Sequence, residues 1–282
     1  MSAPLSPDRL RGAVAIVTGA SRGVGKGVAL GLAEAGATVY VTGRTTADSI
    51  TNSTAPGGLP GSIEQTAEEV RALGGVGIAI CCDHASDEQV AALFARVHAE
   101  QGRLDLLVNN AFAIPEGRIA GPFWELPVAQ WDLMHRVGLR SHYVAAVHAA
   151  QIMVPARRGL IVNVSSFGAK IYAISVAYGV GKAGVDRMSR DMARELRPHN
   201  VAAVSLWPGI VRTERLLREP ERLGFDPTHG ESPTLSGRAV AALAADPQVL
   251  TRSGEALVVA ELAVTYDFTD LDGTRPASLR RA

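Results

Sequence analysis

Five apolar residues, Ala13-Val14-Ala15-Ile16-Val17, run directly into Thr18-Gly19-Ala20-Ser21-Arg22-Gly23-Val24-Gly25-Lys26-Gly27. Unbroken apolarity predicts a strand covered on both faces. Glycines at 19, 23 and 25 allow the backbone to turn sharply. Val28, Leu32 and Ala35 then recur at helical spacing. A strand that must be buried on both sides and is followed at once by a helix belongs in a parallel sheet with helices on each face.

The remainder of the chain repeats that alternation. Strands are predicted over Thr38–Thr42, Gly77–Cys82, Leu104–Asn109, Leu160–Val164, Val201–Trp207 and Glu255–Val259. Ser62 with Gln65, and Ser86 with Gln89, read as capping boxes opening helices to about Leu73 and over Val90–Ala99. Longer helices are predicted over Val128–Met153, interrupted at Gly138, and over Val176–Leu196, ended near Pro198. Thr45–Gly61 reads as a long loop, and Thr213–Leu235 as a mobile segment over a site. The expected fold is a single-domain, Rossmann-type α/β structure over residues 1–282. It has a doubly wound parallel sheet of about seven strands with helices on both faces. Met1–Leu10 (loosely held at least over residues 1–8) and the stretch from Asp270 to 282 read as tails.

Hydrophobic residues make up 47% of the 282, ample for one large core. Lys+Arg and Asp+Glu are both 28, and aromatic content is 5%; this excludes a basic nucleic-acid surface or a base-stacking platform. No apolar run reaches membrane-spanning length, and no apolar leader core precedes the first strand. The adjacent Cys81 and Cys82 read as reduced core thiols, and the protein as cytoplasmic. No metal site is assigned.

In a doubly wound sheet, ligands sit at the carboxyl ends of the strands, where strand order reverses. The turn Gly19-Ala20-Ser21-Arg22-Gly23-Val24-Gly25, at a helix N-terminus, offers free amides and the positive dipole end to a pyrophosphate. After the second strand, Thr42-Gly43-Arg44-Thr45 holds no carboxylate for a ribose diol and one guanidinium for a 2′-phosphate. Arg22 can approach the same phosphate. The cofactor expected is NADPH/NADP+ rather than NAD.

Tyr178 and Lys182 are four residues apart on a helix, on one face and about 6 Å apart along the axis. Such a pair is ordinarily only a surface pair. Here it follows a strand ending Asn163-Val164-Ser165-Ser166, whose hydroxyls can reach the same substrate oxygen. A phenol beside an ammonium is expected to have a lowered pKa and to pass a proton to or from that oxygen.

These residues resemble the short-chain dehydrogenase/reductase family over nearly the whole chain. Thr18-Gly19 with Gly23 and Gly25 resembles its glycine signature, and Tyr178 with Lys182 its catalytic signature. The resemblance implies that Asp83 contacts the adenine and that Asn110 and Ala111 lie beside the adenosine ribose. It further implies that Pro208, Gly209, Ile210 and Thr213 surround the nicotinamide amide, and that Lys182 holds the nicotinamide ribose. It implies reduction of a ketone or aldehyde to an alcohol, or the reverse (a carbonyl reductase or alcohol dehydrogenase), on a small-molecule substrate. Assembly as a homodimer or homotetramer is also implied.

Three departures stand out. Phe112 occupies the place of the last glycine in the family's Asn-Asn-Ala-Gly. Gly138 falls where the family's long helix carries a water-ordering Asn, with His142 one turn on as a substitute relay. The family's spacing points to Ser165 as the catalytic serine, whereas the strand-end pattern points to Ser166, which we prefer because loops absorb deletions. Residues 112–131 and 213–235 are expected to wall the pocket, with Phe112, Ile114, Phe123 and Trp124 as apolar lining. The alternative is a non-catalytic NADP(H)-binding sensor or interaction module on the same fold, favoured by Gly138.

Overall fold

Alternate residues of each strand feed opposite faces of one seven-stranded parallel sheet, in the order β3-β2-β1-β4-β5-β6-β7. The computed structural model describes residues 8–48, 58–224, 226–228 and 230–281. The strands are β1 (Val14–Thr18), β2 (Thr38–Gly43), β3 (Val76–Cys81), β4 (Leu106–Asn109), β5 (Gly159–Val164), β6 (Val201–Trp207) and β7 (Ala256–Val258). The helices are α1 (Gly23–Glu34), α2 (Ile63–Ala72), α3 (Asp87–Gln101), α4 (Val128–His135), α5 (Ser141–Ala156), α6 (Val176–Leu196), α7 (Glu214–Arg218), α8 (Pro220–Leu223), α9 (Pro233–Ala245) and α10 (Val259–Thr265).

Ala15, Val17, Val39, Val41 and Val108 pack against Val28 and Leu32 of α1 and Val240 and Leu243 of α9. Val14, Ile16, Leu107 and Ile161 pack against Leu93 and Phe94 of α3, Ala145 and Ala149 of α5 and Ala193 of α6. Ile16 and Leu107 are fully buried, each contributing about 1.5–3 kcal/mol of transfer free energy. The chain goes outward from β1 through β2 to β3 and then returns to β4 on the other side of β1. The reversal opens a crevice at the carboxyl ends of β1 and β4.

Ser62 and Ser86 cap α2 and α3, accepting from the amides of Gln65 and Gln89. The long helix expected over Val128–Met153 is two helices joined by a π-helical turn at Arg136–Arg140, with Gly138 at its centre. Thr213–Leu235, expected as a mobile segment over a site, holds α7, α8 and the start of α9. Ser232, as N-cap, and Pro233 in the first turn open α9. Cys82 is buried but Cys81 is exposed, since the two point to opposite sides of the strand end. The tails begin further out than expected. Leu10 is buried and its amide donates to Ala35. Asp270 is buried and accepts from the amide of Ser232 at 2.7 Å. Residues 1–7 and 49–57, which carry the leader and much of the long loop, lie outside the described residues.

Candidate active site

The glycine turn is braced from β4. Thr18 Oγ1 accepts from the amides of Asn110 (2.9 Å) and Ala111 (3.0 Å). Asn110 Nδ2 returns to the carbonyls of Thr18 (2.9 Å) and Gly19 (3.0 Å). Asn110 therefore holds the turn through its backbone and side-chain N–H groups, a role that the resemblance alone did not assign. The turn presents the open end of α1, whose N-cap Arg22 makes no side-chain cap. Gly23 has φ +58, a backbone that glycine adopts freely. Its amide donates to Glu214 Oε2 at 2.9 Å. An anionic oxygen thus already sits at the helix end where a diphosphate oxygen would be received, so the donor set fits a dinucleotide. Ser21 is buried behind the turn and Val24 packs on the core.

Arg22 donates to the carbonyls of Pro60 (3.1 Å) and Gly61 (2.8 Å), which ties the turn to the loop before α2. Arg44 stands exposed just past β2. Asp83 follows β3 and its Oδ1 accepts from the amide of Ala85 at 3.0 Å. Between them His84 is buried with Nε2 2.9 Å from Thr42 Oγ1, and burial pushes its imidazole down to about 4.

On the other side of the crevice, β5 and α6 bring the expected reacting groups together. Ser175 caps α6 by accepting from the amide of Tyr178, which starts the helix one turn before Lys182. Tyr178 Oη donates to Ser166 Oγ at 2.9 Å, and the amide of Gly168 donates to the same oxygen at 3.1 Å. With two donors directed at it, the serine's own hydroxyl hydrogen is left to point at a substrate oxygen. Ser165 faces away, buried, donating to the carbonyl of Lys182 at 3.1 Å. Lys182 Nζ donates to the Val164 carbonyl at 3.1 Å, and burial pushes its ammonium down to about 8 against the opposing charge of Asp186.

Burial pushes the Tyr178 phenol up, with the Ser166 hydrogen bond opposing. The expectation of a phenol lowered by Lys182 is corrected here. Nζ lies 5.8 Å from the centre of the tyrosine ring and turns to the Val164 carbonyl and to the Phe112 ring, 4.9 Å from its centroid. Desolvation outweighs a charge held at that distance. His142 is fully buried with Nε2 3.0 Å from the Ala111 carbonyl, and burial, assisted by Lys182, pushes it down to about 3. It therefore stays neutral at ordinary pH.

The loop after β6 is held by a carboxyl that the sequence reading missed. Glu231 is buried, and its Oε1 accepts from the amide of Gly209 at 3.0 Å, while its own amide donates to the Ile210 carbonyl at 2.7 Å. Burial pushes this carboxyl up to about 7. Pro208 leads into that loop, and Thr213 caps α7 by accepting from the amide of Leu216 at 3.2 Å. Of the expected apolar lining, Phe123 (64% exposed) and Trp124 (73%) stand outward on the surface. Phe112 turns inward, edge-on to Tyr178 at 5.9 Å between ring centroids. Among the described residues no group of acidic, histidine and cysteine side chains could hold a metal, and no helix is long and apolar enough to cross a membrane.

Residues 13–222 match the family described as short chain dehydrogenase. The chain is 44% identical over 289 residues to dehydrogenase/reductase SDR family member 1 of Homo sapiens, covering 97% of this chain and 86% of the relative. To the Mus musculus protein of the same name it is also 44% identical, over 94% of this chain and 85% of that one. Among solved structures, a metagenomic short-chain oxidoreductase in complex with NADP superposes with a TM-score of 0.70 at 29% identity, over 89% of this chain and 97% of that chain.

Proposed function

The chain belongs to the short-chain dehydrogenase/reductase family of oxidoreductases, and from that premise we propose that it reduces a ketone or aldehyde to an alcohol, or runs the reverse, with NADPH as hydride donor. The observation that carries this reading is the 2.9 Å contact between Tyr178 Oη and Ser166 Oγ, one helical turn from a buried Lys182. Ser166 orients the substrate oxygen. Tyr178, kept protonated by burial, gives its proton to that oxygen as negative charge develops on it. The nicotinamide cofactor supplies the hydride. Lys182 holds a positive charge behind the phenol and, by family resemblance, the nicotinamide ribose.

Gly19, Ser21, Gly23, Val24 and Gly25 form the diphosphate cradle, braced by Asn110 and Ala111. Pro208, Gly209, Ile210 and Thr213 face it across the crevice, and Asp83 lies at the adenine end. Arg22 and Arg44, with no carboxylate directly after β2, support NADPH over NADH. The solved NADP complex of a relative is in keeping with that preference. The same reading takes the protein as cytoplasmic and as a homodimer or homotetramer.

The test is a panel of ketones and aldehydes of graded hydrophobicity, followed by NADPH absorbance. Substrate-dependent NADPH oxidation is expected for at least one class. Cofactor binding with no oxidation above the substrate-free rate for any of them would leave a binding module instead.

A further inference from the structure

Gly138 is buried at the centre of the π turn between α4 and α5. A Cβ built there would stand 2.3 Å from Cδ2 and 2.6 Å from Cε2 of Phe112, so no side chain fits beside that ring. The backbone at Gly138 does not have positive φ, and the ring is what excludes a larger residue. The same ring has Lys182 Nζ over it at 4.9 Å from the centroid and meets Tyr178 edge-on at 5.9 Å, with an interplanar angle of 89°. The residue before it, Ala111, is fixed by Thr18 at its amide and by His142 at its carbonyl.

We propose that Phe112 is the positioning residue of the Lys182 ammonium, filling with its ring the space beside Gly138 and holding Nζ against its π face together with the Val164 carbonyl. The two unusual residues are thus one device. Gly138 makes room, and Phe112 replaces a polar, water-ordering wall with a dry aromatic one. A cation over a ring face is stabilised, the more so when desolvated, so the ring opposes the loss of charge that burial imposes on Lys182. The other ionisable groups around Nζ are Tyr178 and Asp186 on α6 and the neutral His142 on α5. From β5 the Val164 carbonyl accepts from it.

This inference rests on the active-site reading above, but its first readout does not need turnover. The side chain of Lys182 is titrated by NMR in the cofactor-free protein, in wild type, Phe112→Leu and Phe112→Tyr. Wild-type Lys182 is expected to titrate near 8. Leucine keeps the dryness and loses the π face, so its midpoint should fall by about half a pH unit to one pH unit, with tyrosine restoring it. In active protein, the alkaline limb of kcat/KM should move by the same amount. The steric half is read separately. Gly138→Ala should lower kcat/KM about tenfold in the wild type by displacing the ring. In the Phe112→Ala background the same change should cost nothing further. An unmoved Lys182 midpoint in Phe112→Leu would overturn the positioning role. A harmless Gly138→Ala in the wild-type background would overturn the shared-space account. Failure of wild type to turn over any carbonyl, with the NMR shift intact, would count against the proposed reaction and not against Phe112.

Discussion

Glu214 reaches from the first residue of α7 to the first residue of α1, placing Oε2 2.9 Å from the amide of Gly23. A carboxylate there is stabilised by the helix dipole, and it lies where the proposed cradle would receive a diphosphate oxygen. A cofactor bound there would compete with Glu214 for one donor, and like charges brought together repel. Glu214→Gln should tighten NADPH binding about three- to tenfold, an effect on the scale of about 1 kcal/mol. Fluorescence titration of NADPH checks it. Weaker binding in the variant would mean that Glu214 supports the cofactor instead.

The two serines at the end of β5 should separate cleanly. Ser166 Oγ contacts Tyr178 Oη, whereas Ser165 donates to a helix carbonyl and faces away. Ser166→Ala should lower kcat by about a hundredfold with little change in cofactor affinity. Ser165→Ala should stay within about threefold and lose some thermal stability. Steady-state kinetics on both variants decides it, and the reverse ranking would assign the role to Ser165.

Much of this site was legible in the sequence because its signals are local. The Tyr178–Lys182 spacing, the Gly19–Gly25 turn and the serine caps at 62 and 86 each lie within one turn or one loop. The bounds Val176–Leu196 and Val201–Trp207 emerged directly from periodicity and from Pro198. What escaped depends on contacts distant along the chain. Glu214 meets Gly23 across 191 positions and Glu231 meets Gly209 across 22, and no spacing pattern announces either. Phe112 and Gly138 were each visible as departures, but their meeting was not. The helix α9 was missed because its small residues, Ala239, Ala241, Ala242 and Ala244, give a weak amphipathic contrast.

Glu231 gives the loop after β6 a pH dependence. Its folded-state pKa is raised to about 7, above the ordinary carboxylate value. The protonated form therefore contributes stability at acid pH, and that contribution is lost as pH rises through about 7. Gln keeps the acceptor for Gly209 and cannot ionise. Relative to wild type, Glu231→Gln should gain several degrees in Tm on going from pH 5 to pH 8; about 1 kcal/mol moves a domain of this size about 2–4 °C. Thermal melts at the two pH values test it, and a constant difference would mean that the carboxyl titrates normally.

Cofactor choice should rest on Arg44. Arg44→Ala should raise KM for NADPH about tenfold and leave that for NADH nearly unchanged, because only the former carries the 2′-phosphate. Paired kcat/KM values measure the preference. An equal loss with both cofactors would place Arg44 elsewhere than at that phosphate.

One variant addresses whether Tyr178 moves the proton in a hydride-transfer reaction. Tyr178→Phe keeps the ring beside Phe112 and removes only the hydroxyl that meets Ser166. NADPH oxidation with an accepted carbonyl substrate and NADPH binding are measured on the same preparation. Turnover should fall by at least about a hundredfold while the NADPH Kd stays within about twofold of wild type. Turnover within about threefold of wild type would contradict it.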